Sequence, residues 1–342
     1  MKQICYVALS GGVDSAAAAV ILKERGFDVR GLTLRLKPRN LADADIADAE
    51  GVAAALGIPL TVLDRREEFK KITDYFCSEY LEGRTPNPCV ICNPAVKFGE
   101  MLDYALAHGA DCLATGHYAE IFKDTDGLYT VRCSPSHKDQ TYFLCRLDQH
   151  ILSHTVFPLS GISKDEARQK ARLAGLAVAE KKDSQEVCFI PDNDYISFIE
   201  REKNPEAAPG DFIGTDGKVL GKHAGLYKYT VGQRKGLGAF GKPMYVISVN
   251  KADNTVTVGD NAELFKTHIT VGDLSFLKGA PPAQKFESQV KIRCAAPKAS
   301  ARITVENGIA SVEFDDAQRA AAPGQTAAIY DGETLLGGGF IL

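Results

Sequence analysis

The stretch Ile4-Cys5-Tyr6-Val7-Ala8-Leu9-Ser10-Gly11-Gly12-Val13-Asp14-Ser15 decides the fold. An unbroken apolar run at Ile4 to Leu9 predicts a strand buried on both faces, as in a parallel sheet. Ser15 to Arg25 is rich in alanine and predicts a helix, closed by Gly26 where a left-handed residue is wanted. Between strand and helix, Gly11 and Gly12 let backbone N–H groups approach an anion closely, and the helix N-terminus adds a favourable dipole. Ser10 and Ser15 supply hydroxyl donors, and Asp14 is placed to hold a divalent ion against phosphates. No Gly-Lys-Ser/Thr follows, which excludes a loop that transfers a γ-phosphate. The plainer alternative is a glycine turn with Asp14 capping the helix.

Working outward, short apolar runs alternate with helical periodicity. Phe27 to Leu36 and Pro59 to Leu63 are predicted as strands, with helices at Ala42 to Leu56 and Arg66 to Tyr80. A helix around Met101 to Ala107 precedes a strand at Asp111 to Thr115. Such alternation implies right-handed crossovers and a mostly parallel α/β sheet. Ligands in these sheets sit beyond the carboxyl ends of the strands, where Ser10 and Thr115-Gly116-His117 both fall. Beyond Asn204-Pro205-Glu206-Ala207-Ala208-Pro209-Gly210, a linker by composition, helical periodicity nearly vanishes. Met244 to Asn250 and Thr255 to Gly259 predict one hairpin. Arg302 to Glu306 and Ile309 to Phe314, joined by Asn307-Gly308, predict another. Thr326 to Tyr330 and Leu335 to Ile341 flank an Asp331-Gly332 turn. The expected domains are therefore residues 1–204, a small β-rich central domain at 205–262, and a C-terminal β-barrel at 266–342.

With 342 residues, 45% apolar and 25% charged, the composition is that of a globular chain and excludes extensive disorder. Only a few residues precede the first glycines, which argues against a signal peptide, and no run of about 18 apolar residues occurs. The expectation is a cytoplasmic protein without membrane contact. The net charge of −4 argues against a generally cationic nucleic-acid binder. Lys218 to Lys242, however, holds six Lys/Arg and no acid, so a local RNA footprint is expected there.

Nine cysteines cannot all pair, and without a secretory signal they should be mostly reduced. Arg84-Thr85-Pro86-Asn87-Pro88-Cys89-Val90-Ile91-Cys92-Asn93 contains two prolines that deny regular hydrogen bonding, which predicts a loop. Cys89-x-x-Cys92 alone suits half a zinc site, a redox pair or coincidence. Zinc lacks a second pair at ligand spacing, and a thioredoxin-type pair would want a helix start. Cys188, in Asp183-Ser184-Gln185-Glu186-Val187-Cys188-Phe189-Ile190, lies where polar sequence turns apolar, and a buried small hydrophobe is its plainer reading.

The loop at 10–15 resembles those of the pyrophosphate-loop ATPases, with the adenine nucleotide alpha hydrolase-like fold, which cleave ATP between α- and β-phosphates to adenylate an oxygen. Many separate blocks narrow the resemblance to the tRNA-specific 2-thiouridylase (MnmA-type) family, over essentially the whole chain. They include Gly83 to Asn93, Thr115 to Ala119, Lys138 to Leu144 and Ser184 to Ile190. Gly225-Leu226-Tyr227, Tyr229 to Gly238 and Pro323-Gly324-Gln325 continue them in the second half. The resemblance implies ATP-dependent adenylation of the wobble uridine 2-oxygen in tRNA and its replacement by sulfur, with ATP and Mg²⁺ as requirements. It casts Cys92 as nucleophile and Cys188 as persulfide carrier, forming a disulfide at one stage. It assigns Ala8, Leu9, Ser10, Gly11, Gly12, Val13, Asp14, Ser15, Leu34 and Gly116 to nucleotide binding. Asn87, Pro88, Cys89, His117, Lys138, Asp139, Gln140, Arg293, Cys294 and Gln325 match positions that contact tRNA, in a C-terminal barrel that is itself tRNA-binding. The implied partners are a tRNA anticodon loop and a persulfide sulfur donor or relay protein.

Three departures from the family stand out. Cys89 stands where Asp is common, so Cys89, Cys92 and Cys188 form a candidate three-thiolate iron–sulfur set. Leu32 to Asp48 is short and lacks Trp. Cys294 stands where an aromatic residue is common. Two rival readings are a pyrophosphate-loop ligase on another substrate and a tRNA-binding thiol carrier without ligase activity.

Overall fold

The computed structural model describes residues 2–342 apart from 38, 137, 182–186, 191, 207 and 239, and the backbone alone at 39–43. Of the Asp183 to Ile190 motif, residues 183–186 lie outside the described residues, as does Ala207 of the linker. The first part runs β1 (Ile4–Ala8), α1 (Val13–Glu24), β2 (Asp28–Arg35), α2 (Arg39–Leu56), β3 (Leu60–Asp64) and α3 (Arg66–Leu81). It continues with α4 (Pro88–Cys92), a π-helical turn at Asn93–Glu100, α5 (Met101–Ala107), β4 (Cys112–Ala114), β5 (Ala119–Lys123) and β6 (Tyr129–Cys133). Then come α6 (Gln149–Ser153), β7 (Thr155–Val156), α7 (Lys164–Leu173) and α8 (Tyr195–Lys203).

Strands β3-β2-β1-β4-β7 form one parallel sheet, in that order. It is covered on both faces, as the unbroken apolar run of β1 requires. Cys5, Val7 and Leu9 pack with α1, α2 and α7, while Tyr6 packs with α5 and the residues around Leu144 to Leu152. Ala16 to Ala19 of α1 are fully buried, because small side chains let that helix lie between the sheet and its neighbours. Among the described residues, no helix is long and apolar enough to cross a membrane.

After Asn204, whose φ of 41° ends α8, the chain forms β8 (Gly210–Gly214), β9 (Val219–His223), β10 (Tyr245–Asn250) and β11 (Thr255–Gly259). These make a four-stranded sheet in the order β10-β11-β8-β9. The last part is β12 (Phe265–Phe276), β13 (Lys285–Lys291), β14 (Ala299–Glu306), β15 (Ile309–Arg319), β16 (Thr326–Asp331) and β17 (Thr334–Ile341). Pairing runs β12-β15-β14-β13-β16-β17 and closes through β12–β17, an antiparallel six-stranded barrel. Asn307 and Gly308 have φ of 50° and 77°, the left-handed pair that a tight two-residue hairpin turn requires.

Two expectations need correction. Residues 84–93 are not wholly a loop: from Pro88 the chain is helical through α4, the π turn and α5. Pro88 occupies the first helical position, where a missing N–H costs nothing, and Pro94 falls at the start of the wider turn. The β5–β6 hairpin was not foreseen. It extends the barrel by pairing β6 with β17, Leu335 opposite Val131.

Candidate active site

Strand order reverses between β1 and β4, where open α/β sheets hold their ligands. The 10–15 loop leaves β1 there, and Thr115-Gly116-His117 leaves β4. Gly11 has φ +67°, and a Cβ on it would come 2.6 Å from the Asp45 carbonyl oxygen. A Cβ on Gly116 would stand 2.7 Å from the Asp14 carbonyl carbon and the Ser15 nitrogen, so both glycines are sterically required. Ser15 Oγ accepts the Ser10 N–H at 3.1 Å and donates to the Gly12 carbonyl at 3.0 Å, bracing the loop. Ser10 is exposed, Val13 begins α1, and the Leu9 N–H is tied to the Leu32 carbonyl at 2.7 Å. Ala8 and Leu34 lie half-buried at the ends of their strands.

Asp14 is not an open cation ligand. Lys164 Nζ donates to both its carboxylate oxygens, at 2.8 and 2.7 Å, and the Tyr118 hydroxyl donates to Oδ1 at 2.7 Å. Sequence reasoning missed both partners. The signal for Lys164 was its place at the first position of α7, behind the Ser163–Glu166 capping box, where a helix dipole disfavours a cation.

The second cluster joins the cysteines. Cys92 is buried in one apolar group with Phe69, Ile72 and Phe76 of α3, Phe198 of α8, and Phe189 and Ile190 beside Cys188. Two cysteines 96 positions apart thus share a neighbourhood, both as free thiols, with Cys188 exposed and Cys89 half-buried. Burial pushes the Cys92 thiol up to about 12, against the opposing charge of Lys97. The Cys89 thiol is also raised by burial, and that of Cys188, although its surface is open to solvent, by the protein mass around it; Lys97 opposes the rise at both and Lys37 opposes it at Cys188. Lys37 is paired with Asp45 at 3.8 Å, whereas Lys97 makes no ion pair among the described residues. Cys89-x-x-Cys92 does stand at a helix start, contrary to the sequence reading. Among the described residues, no three His, Cys, Asp or Glu side chains gather to hold a metal ion. Cys89, Cys92 and Cys188 are neighbours but are not gathered as a metal-ligand set, and this arrangement does not show an iron–sulfur cluster.

His117 Nδ1 lies 2.7 Å from Thr115 Oγ1, and burial, helped by Lys97, pushes its pKa down to about 3. It is therefore a neutral hydrogen-bonding group rather than a cation for phosphate. Lys138 is exposed, but Asp139 turns inward, accepting from the Ser134 N–H at 3.1 Å and the Thr141 hydroxyl at 2.8 Å. Gln140 is bonded twice to the Tyr118 backbone. Arg293 donates to the Val231 and Ala320 carbonyls, both at 2.9 Å, tying the segment between β9 and β10 to the barrel. Cys294 is exposed and close enough to raise the Cys89 thiol. Gln325 Nε2 donates to the Thr85 carbonyl at 3.1 Å, while Asn87 and Pro88 cap and open α4.

The acid-free stretch is neutralised in space. Lys218, Lys222, Lys228 and Lys242 pair with Asp216, Asp211, Glu200 and Asp260, all outside it in sequence. Among the described residues Arg234 and Lys235 make no such pair and are exposed.

Three family models cover the chain. A tRNA methyl transferase HUP domain matches residues 3–192, a tRNA methyl transferase PRC-barrel domain 196–260, and an aminomethyltransferase beta-barrel domain 266–341. A tRNA-specific 2-thiouridylase MnmA of Clostridioides difficile (strain 630) is 43% identical over 359 aligned positions, covering 100% of this chain and 98% of the relative. Its namesake in Acetivibrio thermocellus is 44% identical, covering 99% of each. Among solved structures, a U34-tRNA thiolase NcsA of Methanococcus maripaludis with a 4Fe-4S cluster matches 59% of this chain and 66% of its own. Its TM-score is 0.37 at 16% identity, too partial a likeness to argue from. Full-length identity above 40%, together with three family models that span the chain in order, shows that the chain belongs to the tRNA-specific 2-thiouridylase family.

Proposed function

We infer that the chain is an ATP-dependent tRNA-uridine 2-sulfurtransferase, a reading carried by one observation: Cys92 shares its apolar cluster with the residues flanking Cys188. The uracil 2-oxygen is a poor leaving group. Its attack on the α-phosphorus of ATP expels pyrophosphate and leaves an O-adenylyl group, so that AMP can later depart with the oxygen. Ser10 to Ser15 supply the backbone N–H groups and hydroxyls for the phosphates, with α1's positive end behind them. Mg²⁺ bound with ATP would offset the phosphate charge; Asp14, which Lys164 occupies in the free protein, would be the carboxylate to hold it.

Sulfur then enters as a nucleophile. In one route the terminal sulfur of a Cys188 persulfide attacks C2 and AMP leaves. The Cys92 thiolate then attacks the Cys188 sulfur, breaking the S–S bond and releasing the thiolated base. In the other, Cys92 attacks first and liberates hydrosulfide, which adds to C2. Either way two thiols are oxidised to a Cys92–Cys188 disulfide as one persulfide sulfur is reduced, and an external thiol resets the pair. A wobble base in an anticodon loop is unstacked at small cost, which suits a recessed site. The central domain (205–262) and barrel (266–342) are assigned to holding tRNA, in the cytoplasm where tRNA is made.

The test is nucleoside mass analysis of an anticodon stem-loop incubated with ATP and a persulfide donor. One 2-thiouridine and one AMP per turnover are expected. AMP without thiouridine points to a ligase on another substrate, and neither product points to a carrier.

A further inference from the structure

The Cys89–Cys92 turn is held directly by the barrel ahead of it and, behind it, by the 141–144 turn that the barrel holds in turn. Ahead of it, Thr85 donates its N–H to the Pro323 carbonyl at 2.7 Å and accepts Gln325 Nε2 at 3.1 Å. Gly324, with φ +85°, lies between these bonds, so close that a Cβ would stand 3.0 Å from the Thr85 nitrogen. Behind the turn, Asn93 Nδ2 donates to the Phe143 carbonyl at 2.8 Å, and neighbouring Tyr142 donates its hydroxyl to the Thr326 carbonyl at 2.9 Å. Thr85, Asn93, Tyr142 and Thr326 are all buried, so water cannot readily replace these bonds. Residues 84–87 belong to no helix or strand, and the start of α4 therefore depends on these ties.

We propose that the barrel segment Pro323–Thr326 is a positioning clamp for the cysteine-bearing helix, with Gln325 and Tyr142 setting where Cys92 stands. Gln325 and Tyr142 act through Thr85 and Asn93, not on the reacting atoms. Barrel and cysteines thereby move as one body, and a tRNA seated on the barrel finds Cys92 at a fixed place. The catalytic consequence rests on the sulfur-transfer reading; the geometry does not.

The experiment compares wild type with Gln325→Ala and Tyr142→Phe in two measurements. Iodoacetamide labelling of the free protein, read by mass spectrometry, should show Cys92 about fivefold faster in each variant, the loss of roughly one net hydrogen bond. Cys5, buried in the core of the parallel sheet and in a different apolar cluster from Cys92, should be unchanged. Sulfur transfer at saturating substrates should fall by a similar factor with the KM for tRNA unmoved. Should Gln325→Ala unfold and expose every cysteine, Tyr142→Phe, which removes one oxygen atom, decides. Unchanged Cys92 labelling with a raised KM would make Gln325 a tRNA contact and overturn the clamp. Cys5 accelerating in step with Cys92 would overturn it as general loosening. A wild-type chain that makes no 2-thiouridine would defeat the functional reading, while the labelling contrast still judges the clamp.

Discussion

Replacing Lys164 with Met tests the ion pair beneath the phosphate loop. The Lys164 side chain is 10% exposed and that of Asp14 is 32% exposed, with Nζ within 2.8 Å of both oxygens. Removing one partner of a fully buried pair costs about 3–5 kcal/mol, because the other charge is stranded. Asp14 keeps some solvent and its bond from Tyr118, which reduces the expected loss to about 2 kcal/mol. For a domain of about 200 residues that lowers Tm by roughly 4–8 °C. Asp14→Asn should cost a similar amount, as it strands Lys164 against the positive end of α7. The double variant should recover most of the loss, since deleting both charges removes the desolvation penalty as well. Thermal unfolding of the four proteins gives the coupling, expected at about 3 kcal/mol. Additive single losses would refute the reasoning. All three variants should lose pyrophosphate release, including the double variant that regains stability.

Three further outcomes follow from the site. Lys97→Met should move the thiolation–pH profile upward, because burial already raises the Cys92 and Cys188 thiols and Lys97 opposes it; activity should fall at neutral pH and recover as pH rises, with Lys97→Arg close to wild type. Charge reversal at unpaired Lys235 should reduce the salt slope of tRNA binding by about one released counterion, while Lys222→Glu, already matched by Asp211, should leave it unchanged in filter binding. Cys89→Asp should retain substantial thiolation in air, measured as 2-thiouridine per tRNA, because the proposed mechanism uses the other two cysteines.

The parallel sheet was legible because its signals are local: an apolar run, a glycine pair and an alanine helix are contiguous at β1 and α1. The Asn307-Gly308 hairpin was legible for the same reason. What escaped depends on distant partners. Prolines 86 and 88 suggested a loop, but Pro88 at a helix start and the π turn after Cys92 accommodate proline without a broken bond. The β5–β6 hairpin finds its partner, β17, some 200 positions away. The stretch Lys218 to Lys242 read as a free basic run because Glu200, Asp211, Asp216 and Asp260 all lie outside it. In the site, the cysteines and the loop were visible as residue types. Lys164, Lys97 and the Tyr118–Asp14 bond became visible only once the chain was folded, and Asp139 and Arg293 proved to be bonded within the protein.

The central claim is that two cysteines and ATP suffice to exchange oxygen for sulfur. Its most direct test is thiolation by protein prepared anaerobically and freed of iron, given ATP, anticodon-loop RNA and a persulfide donor. The account predicts robust turnover, with 2-thiouridine and AMP formed in equal amounts and both abolished in Cys92→Ala. Activity that appears only after reconstitution with iron and sulfide would contradict it.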